Sequence, residues 1–131
     1  MIHMITKWSY HRGWALLFVR LASGLVFLTH GWAKLMSLRG AESFFSGLGL
    51  PPGTAAFIAV VETVGGLMLV LGIAPRLAGL VLGVEMLIAL LLVGVPSGDY
   101  ELELLLAASA FAVFFAGAGA YAAYSMEHKN D

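Results

Sequence analysis

WALLFVRLASGLVFLTHGWAKLM, residues 14–36, is the stretch on which the fold turns. At about 1.5 Å per residue it is long enough to cross the ~30 Å hydrocarbon of a bilayer as a single helix. Yet it carries Arg20, His30 and Lys34. At about 100° per residue, Arg20, Gly24, Phe27, Gly31 and Lys34 fall on one stripe, and His30 borders it. Charge at the bilayer centre costs about 2.5–3.5 kcal/mol on insertion, so a greasy cylinder with one charged line must turn that line toward other helices.

Those other helices are legible too. Apolar runs recur at residues 55–74, 77–95 and 102–123, each near the ~20 residues a spanning helix needs. Hydrophobic residues make up 60% of the 131-residue chain and charged ones 11%, a balance that a soluble domain this small could not bury. The fold class expected is therefore all-α: an integral membrane four-helix bundle, a single domain over residues 1–131. With a net charge of −1 there is no basic face for nucleic acid. The absence of cysteine excludes dithiol exchange, thiolate-held iron–sulfur clusters and disulfides, so any redox chemistry must come from a cofactor or a partner. Residues 1–12 lead into the first helix without a small-residue cleavage site, and the reading is a retained helix.

Between the first two runs lies SLRGAESFFSGLGLPPGT, residues 37–54, whose glycines and Pro51–Pro52 should break any helix. Phe44, Phe45, Leu48 and Leu50 make it apolar enough to lie on the membrane surface or fold back over the bundle. Ala74–Pro75 marks a tight turn, and VPSGDY at 95–100 closes the third span. Lys7, Arg12, Arg76 and Lys129 all fall at one side, whereas Asp99 and Glu101 fall at the other. The positive-inside bias then sets both termini in the cytoplasm and the 37–54 loop outside. Trp8, Trp14 and Trp32, with Tyr10, Tyr100, Tyr121 and Tyr124, sit at span ends as interface anchors. Gly65, Gly66, Gly72, Gly79 and Gly83 let helices approach closely, as small residues do in lipid.

Six ionisable groups fall within or at the edge of the spans: Arg20, His30, Lys34, Glu62, Glu85 and Glu103. Counting rise from the span ends puts Arg20 and Glu85 nearest the cytoplasm, Glu62 deeper, then His30, with Lys34 and Glu103 at the external side. The expected pairs are Arg20 with Glu85 or Glu62, and Lys34 with Glu103 or Glu101. Arg20 and Glu85 are read as structural ion-pair candidates. His30, Lys34, Glu62 and Glu103 are the ligand or pocket candidates, with snorkelling to the interface an alternative for Lys34. Glu62, beside Thr63 and Gly65–Gly66, could line a cavity and carry a proton. His30 is the one histidine at this level, since His3, His11 and His128 lie at the other end, and no metal is expected.

In order, these features resemble the DoxX family of small bacterial membrane proteins. RLASGLVFLTHGWAKL (residues 20–35) is similar to its first-helix signature. AVVETVGGLMLVLGIAPRLAGLVL (residues 59–82) is similar to its second and third helices, and YELELLLAASAFAVFFAGAGAY (residues 100–121) to its fourth. The end departs from the family's G-x-G-R-x-S-x-D: this chain reads GAGAYAAYSMEH, without the arginine after Gly119. Nor is Glu85 part of the pattern. The resemblance implies a multi-pass protein of the bacterial inner membrane, related to proteins of thiosulfate:quinone oxidation and of membrane redox and thiol-stress complexes.

Three functions compete at this stage. One is the membrane subunit of a redox complex that binds a quinone or other lipophilic small molecule; no cofactor is identified, with quinone the candidate. Another is a non-catalytic scaffold for soluble oxidoreductases. The last is a small proton-coupled transporter. The bilayer is the partner in each, and a soluble oxidoreductase or a second copy of the chain stays open.

Overall fold

The computed structural model describes residues 2–117, with side chains from residue 13 onward. Every regular element among them is helical: α1 (Ile2–Met36), α2 (Leu38–Gly47), α3 (Thr54–Leu71), α4 (Pro75–Ala89), a π-helical turn (Leu90–Gly94), α5 (Val95–Ser97) and α6 (Glu101–Ala116). α4, the π turn and α5 run on as one rod. Among the described residues three stretches are long and apolar enough to cross a membrane: Gly13–Met36, Thr54–Leu71 and Pro75–Ser97. They match the first three expected spans closely. The fourth, 102–123, begins as α6; residues 118–123 lie outside the described residues.

Each apolar helix is buried on a narrow face and exposes the rest. Phe18, Phe57 and Phe115 are among many large hydrophobic side chains turned outward. In water such a surface would drive association; against lipid tails it carries no penalty. The chain is a multi-pass membrane protein.

Glycine decides which helices meet. α1 and α3 run antiparallel in close contact, with Gly24 and Gly31 of α1 against Gly66 and Thr63 of α3. α4 and α6 form a second antiparallel pair, where Gly79 lies against the Ala110 carbonyl and Gly83 against the Phe111 ring. Contact between the two pairs is sparser. It runs through Gly65 on Leu82 and through a core of Phe27, Leu69, Leu82, Ala110 and Val113.

The turn between the pairs is tight. Gly72 closes α3 in the left-handed region, its N–H bonded to the Met68 carbonyl, and Pro75 opens α4. Ala74 is pinned between them at φ 42°. A residue before proline is barred from the right-handed helical region, so the short link forces it elsewhere.

One expectation is overturned. Residues 37–54 were expected to hold no helix, yet ten of them form α2. The strong breakers, Gly47, Gly49 and Pro51–Pro52, all lie at its C-terminal end. Upstream only Gly40 interrupts LRGAESFFS, too little to stop a helix whose apolar face has something to cover. α2 packs on α3 and more lightly on α1. The Gly53 N–H donates to Glu42 Oε1 at 3.1 Å, tying α2 to the start of α3, with Gly53 at φ 91°. Glu42→Ala should remove about 1 kcal/mol from this tie. The expected readout is faster hydrogen exchange confined to residues 38–53, with the midpoint of global unfolding unchanged.

Candidate functional site

The two helix pairs diverge toward the end capped by α2, and a cavity of about 420 Å³ opens between them. Its walls come from five helices. Phe44, Phe45 and Leu48 of α2 and its following loop roof it; Phe57 and Ile58 of α3, Met86, Ile88 and Ala89 of α4, and Leu102 and Leu106 of α6 make the sides. The π turn adds Leu92 and Val93. Single π turns inserted in α-helices are frequent at functional sites, because the wider turn re-aims the side chains around it. Gly94, which ends the turn, lets the chain pass close to Glu103 and Tyr100.

His30 and Lys34 of α1, Glu62 of α3, Glu85 of α4 and Glu103 of α6 line the same cavity. Lys34 Nζ donates to Glu62 Oε1 at 2.5 Å. The Glu62 carboxyl is sealed from solvent, whereas Lys34 keeps 27% of its side chain exposed. Glu85 stands within hydrogen-bonding reach of Glu62. Glu85 Oε2 and Glu103 Oε2 are both buried without a hydrogen-bond partner. The Lys34 ammonium therefore meets the Glu62 carboxyl with Glu85 beside it, while Glu103 Oε2 lies toward Gly94.

The expected pairs are corrected by this geometry. Lys34 meets Glu62 rather than Glu103 or Glu101. Counted from Thr54, Glu62 is about 12 Å below the α2 end, and a lysine near the end of α1 projects back along its helix, so its long stem reaches down to that level. Lys34 does not snorkel away from the bundle; it points into it. Arg20 lies outside the cavity wall, deep in α1 and 1% exposed. Three residues further along the helix, Ser23 turns its hydroxyl back to the Val19 carbonyl at 2.6 Å. Glu85, read from sequence as a helix-register partner for Arg20, sits in the cavity beside Glu62 instead. The four pocket candidates, His30, Lys34, Glu62 and Glu103, all line the one chamber. Among the described residues no three histidine or acidic side chains are arranged to hold a metal ion.

Sequence reasoning missed most of the apolar wall. Glu85, Ile88, Ala89 and Leu92 recur at the i, i+3, i+4, i+7 spacing of a single helix face, which could have grouped them. On a helix apolar all round, that spacing does not say which face turns inward.

The apolar helices make this a membrane-spanning helical protein, and sequence comparison gives its family. The DoxX family model matches residues 15–95, and the chain belongs to that family. It is 31% identical over 93 residues, 69% of each chain, to the Bacillus subtilis (strain 168) protein named "Putative oxidoreductase CatD". No solved structure matches.

Proposed function

We propose that the chain is a membrane subunit of a redox complex that holds a quinone or another lipophilic small molecule in the chamber between its helix pairs. The observation that carries the reading is the chamber itself: apolar walls with a few polar groups among them are the usual make-up of a small-molecule site. Its volume falls in the ordinary range of about 300–1,000 Å³ for such sites. Lys34 spends one of its three donors on Glu62, leaving two for a ligand carbonyl, and His30 lies one helical turn away. Glu62 and Glu85, side by side around a single ammonium, make with it a group of three that is electrically neutral when the two carboxyls share one proton, and so can take up or pass on that proton. The relative named as an oxidoreductase supports the redox setting. Without cysteine, the electrons must come from a partner protein.

In this reading α6 and the residues after it complete a four-helix bundle of the bacterial inner membrane, with both termini cytoplasmic and α2 outside. The test is mass spectrometry of lipophilic molecules that copurify with the protein from membranes. We expect a quinone in near-stoichiometric amount, reduced at least tenfold by Glu62→Gln in protein that keeps its helical circular dichroism. Stable protein that carries only phospholipid would leave the scaffold role as the better account.

A further inference from the structure

The ion pair in the chamber is open on one side only. Lys34 keeps 27% of its side chain exposed, whereas the Glu62 side chain keeps 2%. A molecule that enters the chamber therefore meets this pair at its ammonium. A lysine ammonium has three donors and no acceptor, so the head that suits it is an acceptor. An anion suits it best, because charge-assisted hydrogen bonds are about twice as strong as neutral ones.

The balance of charge then sets a condition. Lys34, Glu62 and Glu85 are neutral together when the two carboxyls hold one proton, and Glu85 lies within hydrogen-bonding reach of Glu62. An anion added to this group leaves one negative charge in an apolar chamber, where an unbalanced charge is costly. One further proton restores neutrality. Glu62 is placed to take it, since the anion draws away the ammonium that kept it ionised. A structural ion pair needs a single carboxyl; the second one gives the chamber a seat for each of two protons. The other titratable groups of the wall are His30 of α1 and Glu103 of α6, whose Oε2 lies toward Gly94. α2 and the π turn bring only apolar side chains to it.

We propose that the chamber also takes an amphiphile with one apolar chain and one anionic head, of the fatty-carboxylate kind, and takes it together with a proton. The head bonds to Lys34 while the chain lies along the apolar walls. An O–H bond forms on Glu62, which gives up its hydrogen bond from Lys34. The proton comes from water, or from the amphiphile's own acid group when it enters uncharged, and the chamber is neutral before and after. This rests on the reading of the chamber as a ligand site, and adds a second ligand class and a proton stoichiometry.

Dodecanesulfonate is the probe, because a sulfonate stays ionised and any pH dependence of its binding belongs to the protein. Binding is measured in maltoside micelles, with Lys34→Met/Glu62→Met as the blank for uptake by the micelle. We expect the apparent Kd to rise about tenfold per pH unit between about pH 6 and pH 8, with uptake of about one proton per sulfonate bound. The rise should vanish in Glu62→Gln/Glu85→Gln and persist in His30→Gln and in Glu103→Gln. Binding without pH dependence, a rise that survives the double glutamine variant, or a rise lost in His30→Gln or Glu103→Gln would overturn the proton assignment. The last two variants decide it by themselves if the double variant does not fold. No sulfonate binding above the blank, in protein that retains decyl benzoquinone, would overturn the anion and leave the quinone reading standing. If neither compound is retained, both readings fall.

Discussion

Lys34→Ala is expected to be the most damaging single side-chain truncation in the protein, costing about 3–5 kcal/mol. Its loss strands the Glu62 carboxyl, which is 1% exposed, without its cation. The measurement is unfolding in mixed micelles, followed by tryptophan fluorescence as the denaturing detergent is raised. Glu62→Leu should cost less, because the partly exposed lysine can swing away from the chamber and hydrate its charge. Replacing both, Lys34→Met with Glu62→Met, should return most of the lost stability, since a buried pair and a well-packed apolar pair are often equivalent. A loss of only about 1 kcal/mol for Lys34→Ala, the scale of a surface pair, would show that the bond does not anchor the bundle. The double variant also separates the two uses of these groups. It should fold while failing to retain a quinone.

Gly66→Ala is expected to follow, at about 1–3 kcal/mol, with larger side chains costing more. A Cβ at Gly66 would sit 2.5 Å from the Leu28 nitrogen and 2.8 Å from the Gly24 oxygen. At Gly31 it would overlap the Thr63 nitrogen and hydroxyl. These are mostly backbone atoms, which cannot rotate out of the way, so α1 and α3 must separate. Lys34 lies one turn beyond Gly31, so separation also pulls it from Glu62, and Gly31→Ala combined with Lys34→Ala should cost less than the sum. Gly40→Ala in α2 is the control. Nothing stands within 4 Å of its added carbon, and helix propensity favours the change by up to about 1 kcal/mol.

The spans were legible because hydropathy is a property of composition along the chain, and lipid tolerates no other backbone than helix. That His30, Lys34, Glu62 and Glu103 line the interior cavity was legible for a related reason: an ionisable side chain in a membrane helix must face the interior. Their pairing was not. It depends on how far a lysine stem reaches along its helix and on where α3 begins, and Lys34–Glu62 crosses between levels that residue counting kept apart. Arg20 and Glu85 were matched by depth alone, although depth says nothing about which helices are neighbours. The helix in 37–54 was missed because its breakers were read as acting on the whole segment, when they act only after Gly47.

The placement of the Lys34–Glu62 bond within the first helix pair bears on biosynthesis. Both partners are synthesised before Gly72, so the bond can close as soon as α3 enters the membrane beside α1. The lysine and the glutamate then partition into lipid as one neutral unit, and neither crosses as a bare ion at a cost of about 2.5–3.5 kcal/mol. Glu85 and Glu103 arrive later, on the second pair, and meet a dipole already in place. The chain is thus able to insert as two successive, individually neutralised or lightly charged hairpins, and the chamber comes into being only at the moment they dock.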